Sequence, residues 1–210
     1  EGSPQSRGAG DPVKPKAGFD PKASKETRRD KALVVYDNPD GSATAVVYGS
    51  DVSVSDENGN LAPIDTDLAV DANSGRIRPE RAKVGAEFAP VASDSELVSI
   101  SDKGVRLSMA LVGANAASGE VDGDTVTYPG ALDGIDVIEQ VLAGGVKETI
   151  VVREITPALG PDEIVGRITF ITSGAALERL SDGSVSVVGS AGRVGTLPAP
   201  TAAREKRRPK

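Results

Sequence analysis

Val105-Arg106-Leu107-Ser108-Met109-Ala110-Leu111 alternates large apolar residues with polar or small ones, without a break. Successive side chains of a strand point to opposite faces. Val105, Leu107, Met109 and Leu111 therefore share one face of an extended chain, and Arg106, Ser108 and Ala110 the other. A helix would scatter the same four apolar residues around its circumference. The stretch predicts a β-strand with one buried face. Working outward, Val126 and Tyr128 alternate with Thr125 and Thr127, and Val185 and Val187 with Ser184 and Ser186. Leu33-Val34-Val35-Tyr36, Ala45-Val46-Val47-Tyr48, Ile150-Val151-Val152 and the segment from Ile164 to Ile171 are short runs rich in β-branched residues, which suit a pleated surface.

Turn dipeptides separate these runs: Asp40-Gly41, Asn58-Gly59, Ser74-Gly75, Lys103-Gly104, Asp122-Gly123, Asp133-Gly134, Gly144-Gly145 and Asp182-Gly183. Tight hairpins demand positive φ, which Gly adopts freely and Asn or Asp tolerates. No stretch of helical length carries an apolar stripe. The expected fold is all-β, a β-sandwich of many short antiparallel strands with disordered or extended termini. Residues 1–30 read as an extended or disordered leader, with Pro4, Pro12, Pro15 and Pro21 among Gly, Lys and Ser. Residues 31–194 read as the β domain, whole or in two subdomains. Residues 195–210 read as a Pro-rich basic tail ending in Arg204-Glu205-Lys206-Arg207-Arg208-Pro209-Lys210.

Of the 210 residues, 38% are hydrophobic but only 3% aromatic, so the core must be built mainly from Val, Ile, Leu and Ala. There is no Cys and no His. Disulfides, thiolate metal sites, Cys nucleophiles and His-based triads are excluded. No stretch reaches the roughly 20 apolar residues of a membrane helix, so no membrane insertion is expected. The chain opens on Glu1 with no Met, as a processed product or a piece of a longer polypeptide would.

The net charge of −7 is divided unevenly. Residues 1–31 carry +3 and residues 204–210 carry +4, leaving −14 on residues 32–203. An acidic body repels phosphate, so nucleic acid is not an expected partner.

Asp56, Asn58 and Asn60 cluster oxygen ligands around Gly59, and Asp71 to Gly75 and Asp122 to Asp124 do likewise. Calcium favours such oxygens on a tight loop. Asp56, Asn58 and Asn60 are the candidate calcium ligands, set against the plainer reading of hairpin chemistry. No other cofactor is expected. Asp65-Thr66-Asp67 places two carboxylates on one strand face but lacks the glycine of a tight catalytic turn. Ser118-Gly119 and Ser173-Gly174 have no His to activate a serine. Lys147 and Glu148 lie on opposite faces of a strand and indicate that one face is polar there. The chain is expected not to be an enzyme.

Four segments, in order, resemble the N-terminal β domain of secreted Rhs/YD-repeat proteins of Gram-positive bacteria, the wall-associated-protein type. They are Asn38-Pro39-Asp40-Gly41-Ser42-Ala43-Thr44, Asn58 to Asp65, Tyr128 to Asp136, and Gly145-Val146-Lys147-Glu148 with the strand that follows. The similarity runs from about Ser24 to about Pro200. Leu61 stands where that family usually has an aromatic residue, and no YD repeats follow in the sequence. The resemblance implies a role rather than a reaction. Such proteins wrap a β shell around a C-terminal toxin, and their N-terminal regions abut the shell or engage the delivery apparatus or the cell surface. It brings no catalytic residues.

The leading expectation is thus a structural, packaging accessory domain of a secreted or cell-wall-associated polymorphic toxin, with a larger Rhs/YD-repeat shell or toxin protein as partner. The alternative is a module binding cell-wall or surface glycan, weakened by the lack of Trp and the presence of only three Tyr. A hydrolase built on two carboxylates is a third reading, set aside for want of a recognisable constellation.

Overall fold

The computed structural model describes residues 18–56, 58–153 and 166–201, and among them the only regular structure is β. The chain opens with β1 (Lys25–Arg29), β2 (Leu33–Asp37) and β3 (Ala43–Val47), an antiparallel three-stranded sheet. A two-stranded ribbon follows, β4 (Ser53–Ser55) and β5 (Leu61–Pro63). Then β6 (Asp65–Val70), β7 (Ile77–Arg81), β8 (Gly85–Phe88), β9 (Val98–Asp102) and β10 (Val105–Leu111) run as an antiparallel meander. A second meander comprises β11 (Glu120–Asp122), β12 (Thr125–Leu132), β13 (Ile135–Leu142) and β14 (Gly145–Val152). The chain returns as β15 (Ile168–Ser173), which pairs with β10 and completes a six-stranded sheet in the order β15-β10-β9-β8-β7-β6. Last come β16 (Ala175–Arg179), β17 (Val185–Gly189) and β18 (Gly192–Leu197), a three-stranded sheet.

The six-stranded and four-stranded sheets pack face to face. Ile77, Ala86, Phe88, Val98 and Leu111 from the first meet Val126, Tyr128, Ala131, Val137 and Val141 from the second in one buried cluster. This is the sandwich expected from the alternating runs. Its core is aliphatic apart from Phe88 and Tyr128, both fully buried. β10 serves two cores at once. Its Leu111 and Met109 join the main cluster, while Val105 and Leu107 pack with Val187, Ala175, Val194 and Leu197 of the β16–β18 sheet. That sharing explains why the alternation over 105–111 is so regular: every apolar residue on that face has a partner layer.

Two boundaries differ from the sequence reading. β1 lies within the stretch assigned to the leader, paired with β2 from Lys25↔Asp37 to Arg29↔Val34. It was illegible because it is a largely exposed edge strand of charged residues and needs no apolar period. At the other end β18 runs to Leu197, past residue 194. Residues 1–17 and the basic run from Arg204 lie outside the described residues.

Positive φ falls on the glycine of most of the turn dipeptides, including Gly41, Gly59, Gly75, Gly104, Gly123, Gly134 and Gly183. At the β9–β10 hairpin Lys103 also has a positive φ, as the paired central residues of a tight hairpin turn require.

Candidate functional site

The sheet is loosest at β7. Pro79 offers no N–H, and β7 pairs with β8 through Ile77↔Phe88 alone. Residues of the β4–β5 ribbon and of β7 and β8 line a shallow cleft of about 300 Å³. Its floor is the outward face of the six-stranded sheet, carrying Arg78, Glu87, Ser101 and Arg106, and Val54 and Ser55 make a wall.

The charged side chains here meet one another. Arg78 Nε lies 3.1 Å from Glu87 Oε1, an ion pair whose geometry does not align a hydrogen bond, and Arg78 Nη1 lies 3.8 Å from Asp71 Oδ2. Arg106 Nη2 lies 3.6 Å from Glu87 Oε2 and 3.0 Å from Glu96 Oε2. The same nitrogen donates to Ser99 Oγ at 2.9 Å, and Ser108 Oγ donates to Glu96 Oε1 at 3.0 Å. Ser99 and Ser108 are buried and lie 3.2 Å apart. Arg106, then Ser108, holds the Glu96 carboxyl below its ordinary range. A carboxylate so stabilised is a poor base, and Ser108 is closed to solvent. The Ser108–Glu96 contact is an ionic brace across β9 and β10, without the basicity that activates a nucleophile.

A second cluster lies inside the sandwich. Glu139 on β13 and Glu148 on β14 are directly opposed. Glu139 is fully buried, and its Oε1 has no hydrogen-bond partner. Burial first, and then the neighbouring Glu148, pushes the Glu139 carboxyl well above its ordinary value. Burial raises Glu148 as well, against a hydrogen bond from Glu139 that pulls it down. Two carboxyls so placed disfavour being ionised together.

The acidic and amide residues singled out from sequence fall mostly in turns, while Ile164 and Val165, which open the β-branched segment, lie outside the described residues. Asp56, Asn58 and Asn60 form the β4–β5 turn, where Asp56 Oδ1 accepts the N–H of Asn58 at 2.9 Å and of Asn60 at 2.8 Å. Glu57 of that turn lies outside the described residues. Asp71 Oδ1 likewise accepts from the backbone of Asn73 and Ser74 and from the Ser74 hydroxyl. Asp124 accepts from Gln140 Nε2 and Thr125 Oγ1. Asp65 and Asp67 interact through the Asp67 N–H and Asp65 Oδ1 at 3.3 Å. Among the described residues no three acidic side chains converge as metal ligands.

The segments that carry the family resemblance fall at hairpins and on one edge strand. Asn38, buried at the β2–β3 turn, donates to Ser42 and Thr44 and accepts from Ser24. Tyr128 donates from its hydroxyl to the Ala89 carbonyl at 2.7 Å. Asp136 accepts from the Gly130 N–H at 2.8 Å and pairs with Arg153. Desolvation works to raise the Asp136 carboxyl, but Gly130 and Arg153 outweigh it, and the net shift is down. Gly145–Val152 is β14.

The sequence reading missed both the Arg–Glu ladder and the buried acid pair. The signal for the pair was present: in Ile135-Asp136-Val137-Ile138-Glu139-Gln140-Val141, Glu139 takes an apolar-face position of a period-two run. For the ladder there was none, since which charges of β7, β8 and β10 meet is set by the register of the meander. Compared with protein-family models, curated proteins and solved structures, the chain has no match in any of the three.

Proposed function

We propose that this chain is a non-catalytic structural module, the packaging accessory domain of an exported Rhs/YD-repeat toxin, seated on a larger shell protein through an apolar edge. The observation that carries the reading is the inner face of β14. Ile150 and Val152 point toward the core side, opposite Val137 and Ile135, yet remain 44% and 39% exposed. A row of aliphatic side chains at a sheet edge, beside a core that ends short of it, fits a partner that continues the core. The Arg–Glu ladder supports the non-catalytic half of the proposal, because its charges neutralise one another across the cleft. The resemblance in four ordered segments supplies the identity of the partner class. A secreted or cell-wall location follows from the same reading.

The glycan-binding alternative receives less support. The lining of the cleft contains no aromatic side chain on which a sugar ring would stack. Tyr128 is fully buried, and Tyr36 packs edge-on against Phe19 with ring centroids 5.1 Å apart.

Co-purification with a YD-repeat shell fragment tests the proposal. An aliphatic contact survives high salt, whereas docking through exposed charges weakens once they are screened beyond about 10 Å at 0.1 M. Retention of the shell fragment at high salt, lost in Ile150→Lys, is the expected result. A chain that ignores the shell fragment but is retained on purified peptidoglycan rejects it in favour of glycan binding.

A further inference from the structure

We propose that two copies of this chain join through β15, antiparallel and about a two-fold axis at Phe170, into one continuous sheet. The edge strands of a sheet present unpaired N–H and C=O groups, and natural edges are blunted by charge, bulges or brevity. Most edges of this fold follow that rule: Lys25 and Arg28 stand in β1, Asp67 in β6, Lys147 in β14 and Glu178 in β16. β11 has three residues, and the β17–β18 register shifts. β15, Ile168-Thr169-Phe170-Ile171-Thr172-Ser173, has none of these devices. It is uncharged, free of proline, and pairs with β10 residue for residue with no register shift. Among the described residues its outer edge has no strand partner. The other uncharged edge of more than three residues, β3, presents alanines and one large exposed residue, Val47.

The side chains of β15 specify the occupant. Phe170, opposite Met109, lies on the inner face and is 38% exposed; Ile171, opposite Ser108, lies on the outer face and is 58% exposed. An incoming strand must therefore cover apolar groups on both faces, which an ordinary alternating strand does not do. β15 itself meets that requirement. Keeping inner faces together requires residues of equal parity to be opposed. Centring the pair on Phe170 does so, placing Phe170 against the second copy's Phe170, Ile168 against Thr172 and Thr169 against Ile171. No charged residue opposes another in this register. The dimer goes beyond the docking proposed above, which uses β14.

The chain has no cysteine, so a single introduced thiol reports its own neighbours. Opposed Cα atoms of antiparallel strands lie about 4.5–5.5 Å apart, inside the roughly 4.4–6.8 Å range a disulfide spans. Phe170→Cys is expected to form a covalent dimer on mild oxidation, and Val47→Cys to stay monomeric. Sedimentation of the unmodified full chain is expected to give a dimer that tightens as salt rises, because both bodies are acidic. Ile171→Lys, at an exposed position, is expected to raise the dissociation constant at least about tenfold while leaving the circular dichroism unchanged. A monomer at every concentration overturns the proposal, as does a dimer indifferent to both Ile171→Lys and Thr169→Lys. A monomer that still co-purifies with the shell fragment rejects the dimer and leaves the docking intact. A dimer that ignores the fragment does the reverse.

Discussion

Glu139 and Glu148 face each other across β13 and β14 on the inner side of the sandwich, one fully buried and the other partly so. Two carboxyls so placed cannot both ionise cheaply, and both are shifted upward, Glu139 the more strongly. A raised pKa means that the folded chain binds protons the unfolded chain releases. Their stabilising effect is full below the ordinary Glu value of about 4.3 and declines as pH rises through the shifted values. The denaturation midpoint should therefore fall between mildly acidic and mildly alkaline pH. Glu139→Gln should flatten that slope and add about 1–3 kcal/mol at neutral pH, the scale of an unmet buried polar group. A midpoint with the same slope in parent and variant counts against a raised Glu139 carboxyl.

Glu96 carries the opposite slope. Its carboxyl is lowered by Arg106 and Ser108, so its contribution is present at neutral pH and disappears as pH falls through its depressed value. Its side chain is 44% exposed, which places the effect with surface ion pairs. Glu96→Gln should cost about 0.5–1 kcal/mol at neutral pH. The difference from the parent should shrink at the acid end of the titration and in high salt. Urea midpoints across that range measure both effects; a difference that persists in acid would assign Glu96 a packing role instead.

Tyr128 joins two parts of the core that sequence alone could not connect. Its ring fills the space between the sheets, and its hydroxyl reaches the Ala89 carbonyl 39 residues away. Burial, then Glu139, raises the phenol above its ordinary value. Tyr128→Phe keeps the ring and strands a buried carbonyl, so it should lower stability by about 1–3 kcal/mol. Chemical denaturation gives the number directly. A neutral Tyr128→Phe would mean that another donor satisfies Ala89.

How far the fold was legible depends on what each strand has to bury. β10 has an apolar layer against one face and shows its period in the sequence; β17 shows the same period, although its Ser186, on the opposite face from Val187, is fully buried too. β12 does so only at its start, because the register with β13 shifts between Tyr128 and Leu132. β1 buries little, and β7 contains Pro79, so neither shows a period. Turns were legible because their chemistry is local: Asp56, Asp71 and Asp182 each bond amides within four residues of themselves. The cleft was not, because Arg78, Glu87 and Arg106 meet only through the sheet register. Lys147 and Glu148 were read as marking a polar strand face. Lys147 pairs with Gln140 and is exposed, but Glu148 turns inward to Glu139, a placement only the register of β13 with β14 reveals.

The β4–β5 turn gives the last prediction. Calcium takes six to eight oxygen ligands, drawn from carboxylates, carbonyls and water. Asp56 Oδ1 is already engaged by the N–H groups of Asn58 and Asn60, and the Asp56 N–H donates to the Asn60 carbonyl at 2.8 Å. Gly59 supplies the positive φ that closes the turn. Asp56 thus closes the hairpin through the amides of its own turn. Asp56→Ala should cost about 0.5–1.5 kcal/mol, the usual worth of such hydrogen bonds, and the loss should be the same with calcium or a chelator present. Ligand binding to the folded state would instead raise the thermal midpoint with calcium concentration, by about 2.7 kcal/mol at a hundredfold excess over Kd. Thermal unfolding of parent and Asp56→Ala across a calcium series separates the two. The curves of each protein are expected to coincide at every calcium concentration, with the variant offset from the parent by a constant amount. A midpoint that climbs with calcium in the parent and stays flat in the variant would convert this turn into a cation site, with Asp56 at its centre.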